Sequence, residues 1–297
     1  MSGIHPVVIG IGFFAIWLFL WLPIAYPIAL RVGWRPFQPS LPSQKILLLL
    51  PLYGMVPLLL WGITRLNHTS FKDYGWLWPQ LLRSFGWGGL IAAVSLLLLF
   101  LLQYRLGWLA RSALDAANAA NVGAANVGAA NVGAANVGAA NVVTWRQQLS
   151  TVIAVLGLAV WISGTEELVF RGFLQTQLQQ AWPIWLAAVI ASGIFAILHG
   201  VWEGARVIPQ LPGLWLMGMV LVLARLVDQN SLGLAWGLHT GWVWVIASLD
   251  SLGWLQFTPK APAWLTGINQ QPIAGVLSGL FLSGTAVGLW LLFGSAV

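Results

Sequence analysis

The chain contains no cysteine, so disulfides, thiolate chemistry and cysteine-based metal or iron–sulfur sites are excluded. Charge is nearly as scarce: 7% of its 297 residues are Asp, Glu, Lys or Arg, against roughly 25% in a soluble domain. So few charges cannot solvate a globular surface of this size. In their place stand apolar residues, 59% of the total, and twenty tryptophans. The apolar runs approach the ~20 residues that a helix needs to cross a bilayer, whereas barrel strands would be about 10 residues long with alternating polarity. The composition therefore specifies an all-α, polytopic, integral membrane helix bundle. The net charge of +6 is spread over loops without a long basic run. It suits anionic lipid head groups and not nucleic acid.

Eight spans are expected, at residues 7–30, 46–63, 84–103, 149–165, 182–199, 211–227, 231–249 and 272–293. No Lys or Arg precedes the first run, and the run is too long for a signal-peptide core, so it reads as a retained helix. Pro23, Pro51 and Pro57 should kink the first two spans, which neighbouring helices can accommodate. An outside N-terminus would place eight loop cations inside and five outside, the direction the positive-inside rule favours.

Between the third and fourth spans lies a tract of another kind. Residues 119–138 are four copies of Ala-Ala-Asn-Val-Gly, followed by Ala-Ala-Asn-Val. A period of five does not match a helix, and Gly and Asn are poor helix formers. Too short and too poor in large apolar side chains for a solenoid, the tract reads as an extramembrane linker. It divides the chain into a three-helix region (1–114), the linker (115–148) and a five-helix region (149–297).

The last region holds the chain's densest charge, Glu166-Glu167-Leu-Val-Phe-Arg171. Charges at membrane depth cost roughly 2.5–3.5 kcal/mol each on insertion scales and mark functional sites. Neighbours on an α-helix point about 100° apart, so the two glutamates should face different ways. Glu167 and Arg171 have the i,i+4 spacing of an ion pair. That leaves Glu166 without a local cation, free to act as a general base. Two histidines lie on later spans, His199 in Phe195-Ala-Ile-Leu-His199 and His239 in Gly-Leu-His239-Thr240-Gly-Trp. Each alone would more simply be a hydrogen-bonded helix contact. With Glu166 they form a set able to activate water, carry a second proton and stabilise an oxyanion, or to ligate zinc. Glu203, four residues after His199, is a candidate to orient that ring.

Glu-Glu-x-x-x-Arg, then Phe-x-x-x-His, then a later intramembrane His resembles the CPBP family, the CAAX-prenyl-protease and bacteriocin-processing (Abi) intramembrane endopeptidases. The resemblance covers roughly residues 150–250. It implies that Glu166 activates water with His199 and that His239 helps to stabilise the oxyanion. It also implies that Glu167 and Arg171 complete the first motif, and that the substrate is a membrane-associated or prenylated-type peptide. It leaves open whether Glu166, His199 and His239 hold Zn²⁺ or work without metal. One position departs from the pattern. Val243 stands where the family has Asn or another polar residue four positions after the last His, so the further oxyanion donor would be Thr240 or a backbone N–H. The same fold could instead serve as a non-catalytic scaffold or immunity-type protein, or the buried Glu and His could relay protons in a transporter. Against the transporter, no paired inverted repeat with matching broken helices is visible.

Overall fold

The computed structural model describes residues 5–110 and 144–294. The apolar runs are helices there, which pair most backbone N–H and C=O groups internally, as a hydrocarbon surrounding requires. α1 (Pro6–Val32) continues through Pro23 and Pro27. The second run breaks at Met55 into α2 (Pro42–Gly54) and α3 (Val56–Asn67). Pro57, in the first turn of α3, has no N–H to bond back across the break. α4 is Gln80–Arg105. The pentapeptide tract lies outside the described residues.

α5 (Trp145–Glu166) begins ahead of the expected position 149, on a capping box. Gln147 N donates to Thr144 Oγ1 at 3.3 Å and Thr144 N donates to Gln147 Oε1 at 2.7 Å. Nor does this helix stop at 165. It runs through a π-helical segment, Glu167–Leu174, into α6 (Gln175–Gln179), 35 residues in all. α7 (Ile184–Leu198), the single-turn α8 (Gly200–Glu203), a 3-10 stretch Gly204–Gln210 and α9 (Leu211–Val227) follow. α10 (Gly233–Ser251), the short α11 (Ala263–Thr266) and α12 (Val276–Phe293) complete the helices. The strands β1 (Leu109–Ala110) and β2 (Gln256–Phe257) pair antiparallel.

Among the described residues six stretches are long and apolar enough to cross a membrane. One of these, Ile184–Val227, comprises two helices, α7 and α9, packed side by side. α10 adds a central helix, bringing the bundle to eight.

α10 sits where it does because of its glycines. Gly233, Gly237 and Gly241 recur every four residues and so share one face. A Cβ on Gly237 would lie 2.2 Å from Phe85 O and 2.7 Å from Gly89 N, and one on Gly241 would lie 2.6 Å from Ala92 Cβ. The α4 backbone comes too close for any side chain, the small-residue packing that joins helices where lipid removes the hydrophobic drive. The other side of α10 meets α5. Trp236 Nε1 donates to Val160 O at 2.9 Å and Trp244 Nε1 to Val152 O at 3.0 Å. His239, on that side, is therefore aimed at the Glu-Glu motif. The first helices share this core: Phe13 of α1 packs on Phe173 with ring centroids 4.7 Å apart. Trp17 and Trp21 of α1 donate to Leu52 O and Leu48 O of α2 at 2.7 and 3.0 Å.

Candidate active site

The site is built on the π-helical segment, every residue of which is buried. In a π turn each N–H bonds five residues back, and such turns recur at functional sites. A buried guanidinium from α9 braces this one. Arg225 Nη1 donates to the Arg171 carbonyl, its Nη2 to Thr176 Oγ1 at 3.1 Å and its Nε to Asn230 O at 3.3 Å. Gly172 lets another loop approach, since a Cβ there would lie 2.9 Å from Tyr74 O.

Glu167 is wholly enclosed. Its Oε1 accepts from Arg171 Nη1 at 3.0 Å and from His239 Nδ1 at 2.8 Å. An ionised carboxylate only accepts, so Nδ1 of His239 carries a proton. Arg171 also lies over the Phe195 ring, with Cζ 4.3 Å from its centroid, a cation–π contact in a desolvated site.

Glu166 has different surroundings. Its side chain keeps 12% exposure, and Tyr53 OH donates to its Oε1 at 2.6 Å. Its Oε2 stands 3.6 Å from His239 Nε2. The expectation that the two glutamates face different ways is corrected here. Both reach one imidazole, one carboxylate at each ring nitrogen, because the helix loosens into the π turn between them.

His199 closes α7. Its Nδ1 lies 2.8 Å from Phe195 O; a carbonyl only accepts, so Nδ1 is the donor and the neutral ring keeps its lone pair on Nε2. Phe195 packs edge-on against both imidazoles, with centroids 4.7 Å from His199 and 6.0 Å from His239. Phe195 thus joins the two histidines, and His239 in turn reaches Glu166. A cavity of about 310 Å³ lies beside them, walled by Glu166, His199 and Tyr53, with Trp17, Trp21 and Trp202 among its aromatic lining.

Three expectations need amendment. His239 is not on the cavity wall; it stands behind Glu166, only 2% exposed. Glu203 does not orient His199. The left-handed Gly204 ends α8 and turns the chain, and the Glu203 carboxylate pairs with Lys45 of α2 at a partly exposed edge of the cavity. Thr240 is buried beside His239, but its hydroxyl has no partner and it does not line the cavity. Tyr53 and Lys45 went unnoticed in the sequence. A tyrosine in Pro51-Leu-Tyr53-Gly carries no local sign of chemistry, and only its position opposite Glu166 supplies one.

A zinc site is not supported by the arrangement of donors. Among the described residues no three His, Asp or Glu side chains converge on a point that could hold a metal ion. The nearest oxygen of Glu167 is already shared by Arg171 and His239.

Residues 147–245 match the family described as type II CAAX prenyl endopeptidase Rce1-like. The match contains Glu166, Glu167, Arg171, Phe195, His199 and His239, but neither Tyr53 nor Lys45. No curated protein and no solved structure matches the chain. An integral multi-pass membrane protein, the chain carries over about a third of its length a domain of the CAAX-protease (CPBP) family.

Proposed function

We propose that the chain is an intramembrane endopeptidase in which Glu166 is the general base for water. The observation that carries this is the shared cavity wall of Glu166 and His199, each held in place by a hydrogen bond. Water between them would lose a proton to Glu166 as its oxygen bonds to the scissile carbonyl carbon. When the tetrahedral intermediate collapses, the C–N bond breaks and the departing nitrogen takes up that proton, directly or through Nε2 of His199. Glu167, Arg171 and His239 form the frame that fixes Glu166 from behind.

The substrate is a membrane-associated peptide of the prenylated C-terminal type. The family match supports the chemistry, and the apolar aromatic wall of Phe14, Trp17, Trp21 and Leu49 suits an apolar chain lying beside the carboxylate. Hydrolysis of an internally quenched farnesylated peptide by the full-length protein in nanodiscs tests the proposal. Glu166→Gln should lower turnover by about 10²–10⁴-fold, the contribution of one oriented base. Wild-type turnover in that variant would refute the proposal. Val243 keeps a second reading in view, a partner-binding scaffold. Tight binding of the peptide by the wild-type protein, with no cleavage, would favour it.

A further inference from the structure

An acyl-transfer site needs a donor aimed where negative charge develops, and most of the side-chain donors around this cavity are already engaged. In their neutral forms the N–H of His199 is on Phe195 O and that of His239 is on Glu167. The indole N–H groups of Trp17 and Trp21 are on backbone carbonyls, and the Lys45 ammonium is on Glu203. The indole of Trp202 lines the cavity without a hydrogen bond to the Glu166 carboxylate. Val243 has no polar hydrogen to offer. Tyr53 is the one hydroxyl-bearing side chain among the cavity's lining residues, and it donates to the carboxylate assigned as base.

We propose that Tyr53, outside the family-matched segment, is the oxyanion donor of this enzyme. The assignment rests on the reading of Glu166 as base, because proton transfer to Glu166 is what releases Tyr53. In the resting site the Tyr53 O–H is held by an anionic carboxylate. As water's proton moves to Glu166, that carboxylate becomes a neutral acid and a poorer acceptor. At the same moment the electron pair of the scissile C=O moves onto its oxygen, creating a stronger acceptor in the same cavity. The Tyr53 hydrogen bond passes from one oxygen to the other, and no proton leaves the hydroxyl. When the intermediate collapses, the carbonyl reforms, the amine leaves with the proton from Glu166, and Tyr53 returns to the carboxylate. A donor that follows the charge would stabilise the intermediate more than the bound substrate, which is the condition for raising kcat.

The test uses full-length protein in nanodiscs and the quenched farnesylated peptide. Tyr53→Phe should lower kcat by about 10²–10³-fold, the range for loss of one oxyanion donor, with KM changed by less than about threefold. A phosphinate analogue of that peptide, whose tetrahedral anion imitates the intermediate, should lose affinity by a similar factor. Unchanged kcat would overturn the assignment. So would a fall in kcat with phosphinate affinity intact, which would leave Tyr53 only positioning Glu166. Should Tyr53→Phe melt early, 3-fluorotyrosine at position 53 keeps the shape and sharpens the donor. It should tighten phosphinate binding, and equal or weaker binding would overturn the assignment. Glu166→Gln separates the two claims. An inactive Glu166→Gln beside a fully active Tyr53→Phe sinks only the donor, whereas an active Glu166→Gln sinks the base on which it rests.

Discussion

Glu166 and Glu167 are consecutive, yet they belong to two different environments. The half of the site around Glu167 is closed. Its carboxylate, the Arg171 guanidinium and the His239 imidazole are each exposed by 2% or less and bond mainly to one another. The half around Glu166 is open to a cavity, and its partner is a neutral hydroxyl from the other end of the chain. Burial among charged partners makes Glu167 part of a brace, whereas partial exposure beside a neutral donor leaves the Glu166 carboxylate facing the cavity. One peptide bond separates the two, and His239 lies between them.

The strongest test of this contrast is stability. Glu167→Gln should destabilise the protein by about 3–5 kcal/mol, because it strands Arg171 as an unpaired buried charge. Glu166→Gln should cost less than about 1 kcal/mol, since water in the cavity can meet the altered group. Melting in detergent compares the two directly, and equal shifts would abolish the distinction. Arg225→Met probes the brace one layer further out. It strips a charged donor from three oxygens, including the Arg171 carbonyl, and should cost about 2–3 kcal/mol. A melting temperature indistinguishable from wild type would mean that the π turn holds without it. The smallest effect belongs to the cavity edge. Lys45→Met removes a partly exposed ion pair and should change stability by no more than about 1 kcal/mol. A loss as large as that for Glu167→Gln would place Lys45 in the closed half.

Much of this architecture is legible in the chain. Scarce charge and long apolar runs are enough for a polytopic bundle, and the eight expected spans correspond to helical stretches of the fold. The Glu167–Arg171 pair is legible because i,i+4 neighbours meet on a helix whatever surrounds them. Where expectation and structure part, the cause is context. The fourth span was expected to end at 165, where hydropathy falls. The helix continues because Glu167 and Arg171 pair within it, and neighbouring helices add His239 and Tyr53 as partners. The glycine seam of α10 is present as Gly-x-x-x-Gly-x-x-x-Gly, but that pattern does not say that α4 is its partner.

By itself, then, the sequence determined the membrane class and the helical architecture, and it singled out Glu166, His199 and His239 as candidates. It did so because solvation, chain length and residue chemistry are local properties. Only the tertiary structure decided that His239 stands between two carboxylates, that Glu203 turns to Lys45, and that Tyr53 reaches across 113 positions to Glu166. Helices apolar on nearly all faces carry no stripe that says which side turns inward. In a bilayer, helix pairing is settled by close fit between small residues and by the few polar groups that must find partners, and neither is readable until the helices are packed.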